Sequence, residues 1–516
     1  MFRTNRPVTN AGFFDREREV ERLLSLVQDL EAGSPTWLAI LGPRKIGKTS
    51  LILECARRAA SERIVIVSID TTEEAPLSLE FFRRYALRVA DAVFAQEVGE
   101  SPEALAVDPN AFRGALAGCR RFERLDVTTK KILFALPEAR LTGAMIRQCL
   151  ELPERLGAAL GLGVLIAIDE FQELSSLESK RGGVEPYRMM RSAWQRQEHT
   201  GYIISGSGRS MLTELVTSKS SPFFQHFSLM SLGPLPREAA VRLLVESGVK
   251  PRRIPAALAR EGIEILGTRP FYLQMLGDAL VRTEPPYDRS ALKAALQDLL
   301  FSPTGRLSLY FENELERLVG RSANLAAVLE ALAPGPQRLS DVARAIGAPT
   351  GHASGYIDRL GDAVQKREDG RYELDDATFG LWIRWRQPGG TVVPMTVLGD
   401  AAERLVAQHL ARCGFELVYQ SRASRGAFDL LATRGARQLG VQVRRSALPL
   451  RFTAAEWSRM EADAKRFGWR WIVAAVGPDD AVTLLDPPRG ARRKAGALDG
   501  SAAIENIVAW VDRAGA

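Results

Sequence analysis

Over about the first 300 residues, short apolar runs alternate with amphipathic stretches. The runs at 37–41, 64–69, 164–168 and 202–205 are each bounded by Gly, Ser or Asp and predict strands. Between them, 48–60, 78–95 and 187–197 carry the 3.6-residue spacing of amphipathic helices. Strand–helix alternation of this kind predicts an α/β fold with a parallel sheet covered on both faces. From 236 to 316 strand signals give way to helical periodicity, so a helical lid subdomain is expected after the sheet. Three short helices follow at 322–332, 339–346 and 353–360, and then 364–374, where Asp369-Gly370 suits a hairpin turn. Helix–helix–helix–ribbon is the order of a winged helix. Gln387-Pro-Gly-Gly-Thr reads as a linker. The tail predicts a helix at 399–413, strands near 415–419, 427–433 and 440–444, a helix at 453–467 and a strand at 471–476. The expected domains are thus 1–235, 236–321, 322–390 and 395–516, with no internal repeat.

Composition narrows this only a little. A chain of 516 residues holds two to four domains, and 46% hydrophobic with 25% charged residues is ordinary for a soluble globular protein. The longest apolar run, 162–168, is strand-sized and far short of the roughly 18–20 residues of a membrane span, so no membrane partner is expected. The N-terminus lacks the apolar core of a signal peptide. Cys55, Cys119, Cys149 and Cys413 are scattered, which points to a reducing cytoplasm and away from a zinc site. A net charge of +7 suits a nucleic-acid partner. It equally suits arginine-rich translation from a GC-rich genome.

The chemistry concentrates at strand ends. Gly42-Pro-Arg-Lys-Ile-Gly-Lys-Thr49 fits G-x-x-x-x-G-K-[ST] at a strand–helix junction. Gly42, Pro43, Arg44, Lys45, Ile46, Gly47, Lys48, Thr49 and Ser50 are the expected cradle for the phosphates of ATP. Lys48 is expected on the β- and γ-phosphates and the Thr49 hydroxyl on Mg²⁺. Leu165-Ile-Ala-Ile-Asp169-Glu170 is an apolar strand ending in two carboxylates. Asp169 is the expected magnesium residue, and Glu170 the group that orients or deprotonates the attacking water. Ile203-Ile-Ser205-Gly-Ser207-Gly-Arg209 offers hydroxyls beside the γ-phosphate, with Ser205 the candidate; a plain Gly/Ser turn fits too. Arg209 reads either as an arginine finger or as a helix-start arginine. Gly267-Thr-Arg-Pro270 either brings Arg269 towards the nucleotide or caps a helix.

Together with Phe13-Phe-Asp-Arg-Glu17 ahead of the first strand and Gly267-Thr-Arg-Pro-Phe271, these motifs resemble the archaeal-type ATPases of the STAND/AAA+ group, relatives of the origin-recognition initiators. The resemblance spans roughly residues 5–390. It implies that the box holding Arg16 lines the adenine site and that a winged helix follows the lid. Tyr372-Glu-Leu-Asp-Asp-Ala-Thr-Phe379-Gly-Leu-Trp382 resembles the signature after the wing. The third helix of that module carries His352, Ser354, Tyr356 and Arg359 beside Asp358, with Lys366, Arg367 and Arg371 on the wing. That is a thin footprint for DNA, and packing or nucleotide sensing suits the module as well.

The tail places Glu403 on its first helix, then Asp429, then Gln442-Val-Arg444. It resembles the PD-(D/E)XK restriction-endonuclease fold, with Gln in the E/Q slot. The resemblance implies Asp429 and Gln442 at a divalent metal, Asp429 as the metal ligand, Glu403 assisting and position 444 beside the attacking water. Arginine there departs from the usual lysine, since it neutralises a phosphate but does not exchange protons. Arg422, Arg425, Arg434, Arg437, Arg444 and Arg445 surround Asp429 and suit a groove that tracks a phosphodiester backbone. The expected function is an ATP-hydrolysing switch acting on nucleic acid, DNA before RNA, through the tail, in defence or mobile-element biology. The alternative is an ATP-binding regulator whose tail only binds DNA. An ATP-dependent homo-oligomer fits either.

Overall fold

The computed structural model describes residues 2–59, 61, 63–73, 77–177, 185–247, 253–302, 304–386, 391–392, 401–415, 417–420, 428–434, 437–467, 469–487 and 497–512. The chain divides into two compact units. One is Asn5–Leu235 with Arg269–Phe271; the other is Met1–Thr4, Pro236–Thr268 and Tyr272–Ala516.

The first unit is built on five parallel strands: β1 (Trp37–Leu41), β2 (Ile64–Asp70), β3 (Gly163–Asp169), β4 (Thr200–Gly206) and β5 (Ser228–Ser231). They lie in the order β2-β3-β4-β1-β5. Alternate residues of a strand face opposite sides, so Leu38 and Ile40 enter one core and Ala39 and Leu41 the other. On the first side they meet Val20 and Leu23 of the helix Glu17–Glu31 and Leu51 and Ile52 of Lys48–Arg58. On the second they meet Phe81 and Val89 of Glu80–Val98 and Leu150 and Leu156 of Gly143–Leu160. β4 is buried throughout and β3 at every position after Gly163, which is why both read as unbroken apolar runs. Trp194 stacks on Tyr202 of β4, ring centroids 3.7 Å apart, and the Tyr202 hydroxyl donates to Gln197 Oε1 at 2.5 Å.

Two parts of this unit escape the hydrophobic pattern. β5 is an edge strand with three of its four residues exposed, too short and too polar to register as a strand. The crossover from β2 to β3 holds six helices where the pattern predicts one, and four of them begin at side-chain caps: Ser101, Asp108, Asp126 and Thr142 each accept first-turn N–H bonds.

In the second unit the helices Arg237–Glu246, Ala256–Leu266, Arg289–Leu300 and Arg306–Val319 accompany Pro270–Val281, whose first turn counts with the first unit. Then come Ala323–Leu332, Leu339–Ala345 and Thr350–Leu360, and an antiparallel ribbon of β6 (Val364–Lys366) and β7 (Tyr372–Leu374). Gly370 turns the ribbon at φ 79°, a conformation that favours glycine. Asp376 caps the next helix, Ala377–Arg386, by accepting from Thr378 N and Phe379 N; Trp382 of that helix is buried and donates to Ser308 Oγ at 2.9 Å. The predicted linker at 387–390 lies outside the described residues.

The tail holds β8 (Thr391–Val392), β9 (Leu417–Gln420), β10 (Leu430–Arg434), β11 (Arg437–Arg445), β12 (Leu450–Arg451), β13 (Arg470–Val476), β14 (Val482–Leu485) and β15 (Ala497–Leu498). Six of these form a mixed sheet in the order β14-β13-β11-β10-β9-β8, β11 pairing parallel with β13 and antiparallel with β10. The helices Ala401–Arg412 and Ala454–Phe467 complete it. Among the described residues no helix is long and apolar enough to cross a membrane.

Candidate functional site

The loop after β1 folds as a cradle for reasons visible residue by residue. A Cβ at Gly42 would sit 2.6 Å from the Leu232 carbonyl oxygen, so only glycine fits there. Gly47 starts the helix Lys48–Arg58 at φ 105°, and Lys45 also takes a positive φ of 61°. Ile46 is buried in the core and anchors the loop between them. Lys48 is 5% exposed, and its Nζ donates to the Gly42 and Pro43 carbonyls at 3.0 and 3.2 Å. Burial lowers its pKa; the carboxylates of Glu170 and Asp169 oppose that shift and Arg44 adds to it. Lys45 stands over the Phe271 ring at 5.2 Å, and Arg269–Phe271 belong to this unit. Ser50 Oγ accepts from Val8 N at 3.0 Å and Glu54 from Asn10 N at 2.9 Å, which ties the N-terminal segment to the loop's helix.

The two carboxylates end β3. Thr49 Oγ1 donates to Asp169 Oδ2 at 2.6 Å, and Ser205 Oγ to Asp169 Oδ1 at 2.5 Å. The strand order explains the triplet: β4, carrying Ser205, lies between β3 and β1. Ser205 is fully buried, and its hydroxyl is engaged by Asp169. Glu170 takes φ 50°, and its Oε2 accepts from Ser207 N, Ser207 Oγ and Gln172 Nε2 at 3.0, 2.8 and 2.6 Å. Thr71 Oγ1 bonds the carbonyls of Asp169 and Glu170 at 3.1 and 2.9 Å. The sequence reading missed Thr71 and the grip of Ser207 and Gln172 on Glu170. The available signal was a hydroxyl following Asp70 at the end of β2, the strand in register with β3 at Asp70–Asp169. The Thr49 hydroxyl and Asp169 carboxylate are hard oxygen donors that suit Mg²⁺.

The flanking arginines fall differently. Arg16 is buried, and its guanidinium bonds the Gly233 carbonyl and pairs with Glu19 at 3.2 Å, bracing the segment after β5. Arg209 is the first residue of the helix Arg209–Thr217.

The tail gathers some of its candidates and disperses others. Asp429, just before β10, accepts from Gln442 Nε2 at 2.5 Å and from Val443 N at 2.7 Å across the β10–β11 pair. Glu403 stands in the first turn of Ala401–Arg412. Lys293, from Arg289–Leu300, is 9% exposed; burial lowers its pKa to about 8 against the opposing pull of Glu403 and Asp429. Among the described residues no group of three His, Cys, Asp or Glu is placed to hold a metal.

Arg444, expected beside Asp429, has a carboxylate partner of its own in Glu456. Its Nη2 pairs with Glu456 at 2.6 Å, and its guanidinium lies 5.4 Å over the Phe452 ring. The arginine groove also changes. Arg434 and Arg437 both pair with Asp512, at 3.8 and 3.2 Å, and Arg445 pairs with Asp480 at 2.6 Å. These four charges are committed to acids later in the chain, 12 residues on for Arg444, 35 for Arg445 and 75 for Arg437; Arg422 and Arg425 lie outside the described residues. On the ribbon, Arg367 pairs with Glu373 at 3.0 Å and Arg371 with Asp369 at 3.7 Å, while Lys366 covers the Tyr372 ring.

Residues 12–181 match the model of the AAA ATPase domain. Among solved structures, a Walker-type ATPase of Pyrococcus abyssi is 19% identical, with 74% of this chain and 99% of that one covered and a TM-score of 0.51. The ORC2 protein of Aeropyrum pernix, in ADPNP and ADP complexes, is 12% identical over 70% and 90% of the two chains, with a TM-score of 0.47. A Holliday junction resolvase of Archaeoglobus fulgidus is 23% identical over 22% of this chain and 99% of that one, with a TM-score of 0.19. The last two scores are too low to carry weight. No curated protein matches the sequence. The five-stranded unit is an ATPase-type P-loop domain.

Proposed function

We propose that the chain is a Mg²⁺-dependent ATPase working as a molecular switch, and that its tail, restriction-endonuclease-like in fold, is the part that meets nucleic acid. The observation that carries the ATPase reading is the linked set Thr49–Asp169–Ser205 with Glu170 at the next position. Thr49 and Asp169 would hold Mg²⁺, which neutralises charge on the β- and γ-phosphates when bound. Lys48 exchanges its bonds to the Gly42 and Pro43 carbonyls for phosphate oxygens. Glu170 is held by Ser207 and Gln172, so it reaches a water only after that grip loosens. This makes hydrolysis conditional and suits a switch. Helices 322–360 with the β6–β7 ribbon fit a winged helix that links the lid to the tail.

Turnover of labelled ATP, with and without DNA, tests this. Glu170→Gln keeps the shape but removes the base, so it is expected to retain ATP while turnover falls about 10²–10⁴-fold. Normal turnover in that variant sinks the role given to Glu170. A second reading is favoured by the Arg444–Glu456 pair: an ATP-binding regulator whose tail holds DNA without cutting it. Binding without strand cleavage or stimulated turnover selects it. A cytoplasmic location and self-association with Mg-ATP belong to both readings.

A further inference from the structure

Within the ATPase unit, the helices Gly143–Leu160 and Pro186–Trp194 border a cavity of about 520 Å³. Small-molecule pockets run from roughly 300 to 1,000 Å³. Four arginines and three glutamates stand in its wall. Each glutamate is already engaged. Glu151 pairs with Arg155 at 3.1 Å and Glu185 with Arg188 at 2.9 Å. Glu154 turns both oxygens to the start of β4, accepting from Glu198 N, His199 N, His199 Nδ1 and Thr200 Oγ1 at 3.1, 2.8, 2.9 and 3.2 Å. The arginines are not balanced in return. Arg147, on the first helix, and Arg196, just past the second, make no hydrogen bond or ion pair among the described residues. The Nε of Arg155 is buried with no partner among them either.

A lone solvated arginine is ordinary on a surface. Two in one concavity whose acids are all taken leave it short of negative charge, and guanidinium forks match phosphate and carboxylate oxygens in pairs. The cavity is separate from the nucleotide site. Glu154 meets β4 at Thr200, whereas Ser205 meets Asp169 near the strand's other end, about 15–20 Å along it. One helix still links the two places. Tyr187, beside Arg188 on Pro186–Trp194, is buried, and its hydroxyl bonds the carbonyls of Phe171 and Gln172 at 3.3 and 3.2 Å. Gln172 Nε2 in turn holds Glu170 at 2.6 Å. We propose that this cavity binds a small molecule with two or more clustered negative charges, phosphate or carboxylate, and that the bound ligand slows ATP turnover. Arg147 and Arg196 clasp it from two sides, Pro186–Trp194 is pinned, and Tyr187 keeps Gln172 on Glu170. Such a ligand acts only as far as it binds the gripped state better than the released one. The regulatory half rests on the ATPase reading; the binding half does not.

The test uses the full chain with its P-loop saturated by Mg-ADP, and calorimetry with inorganic pyrophosphate and with citrate. Binding of either supports the site, and the tighter of the two gives the chemistry it prefers. Arg147→Gln and Arg196→Gln are each expected to weaken binding about tenfold, and the double variant to lose it. Both side chains reach solvent, so melting temperatures are expected to change little. In parallel, turnover of labelled ATP in excess Mg²⁺ is expected to fall about fivefold or more when the parent binds the anion. Tyr187→Phe is expected to bind as the parent does and to lose that response. No binding of either anion, or undiminished binding in the double variant, overturns the site. A polyglutamate peptide that binds where neither anion does also overturns it, because the face then serves a protein partner. Binding that leaves turnover unchanged, or raises it, overturns the regulatory role. If the parent turns over no ATP while the double variant still loses the anion, the ATPase reading falls and the binding site stands.

Discussion

The two polar clusters of this chain are built in opposite ways. In the ATPase unit, Asp169 and Ser205 end adjacent parallel strands and Thr49 stands in the first turn of the helix after β1, so that the hydroxyls of Thr49 and Ser205 reach the Asp169 carboxylate. In the tail, the pair Asp429–Gln442 is made by adjacent strands, but the charges around it are settled by Glu456, Asp480 and Asp512, which come from later in the chain. The first kind of site joins segments far apart in sequence, but each segment carries its own motif at a strand end, so it survives a reading by motif. The second depends on which distant acid meets which arginine. Six arginines counted against one carboxylate gave a groove; paired one by one, four of them give a nearly neutral rim.

The largest effect that sharpens this contrast belongs to Lys48. It is the P-loop's buried charge, so Lys48→Ala is expected to weaken ATP binding on the order of 100-fold, as read by calorimetry. A loss under threefold would put the ATPase cluster on the same footing as the tail.

An intermediate effect concerns the strap behind the loop. Hydrogen bonds from Arg57, assisted by Asn10 N and Arg58, hold the Glu54 carboxyl at about 2 against burial. A depressed carboxyl stabilises the fold above its free value near 4.5, and that stability is lost as pH falls from there towards 2. Arg57 and Arg58 reach solvent, so about 1–2 kcal/mol is a fair figure once screening is allowed for. Urea midpoints of Glu54→Gln and the parent are expected to differ most at pH 7 and by about half as much or less at pH 3. Equal differences at both pH values would show that Glu54 acts through packing alone.

The smallest effect lies on the tail's rim. Asp512→Asn releases Arg434 and Arg437 from their shared partner, so DNA affinity is expected to rise about two- to threefold at low salt, within the range of a surface ion pair. Unchanged affinity would mean that this face is not near the bound strand.

The difference between the clusters also explains what was legible. The P-loop, the Asp-Glu strand end and the buried strands are visible because glycine spacing and apolar runs are fixed by local geometry. β5 was not, since an exposed edge of Ser, Leu, Met and Ser carries no periodic signal. Thr71 became meaningful only when β2 was laid beside β3. Ser207 was in view as part of a Gly/Ser turn, but its bond to Glu170 needs the turn's path in space. For Arg444, residues two apart on a strand share a face, which gives the side of the sheet; the rotamer was decided by Glu456 on the helix Ala454–Phe467.

The crossover between β2 and β3 has a consequence of its own. It leaves and re-enters the sheet on neighbouring strands, and its first and last helices, Glu80–Val98 and Gly143–Leu160, pack along the sheet's second face. The ordering entropy of such a connection grows slowly, about 0.6 kcal/mol for each doubling of its length. Between those two helices Phe112, Leu116, Phe122 and Leu133 are buried in the same core, so only the exposed positions there are free to diverge while the register of β2 on β3 holds Thr71 against Asp169. Val107 and Val127, the most exposed large apolar residues described, both lie in that stretch. Evolution has there a surface it can rewrite without touching catalysis, and divergence between relatives is expected to accumulate in it first.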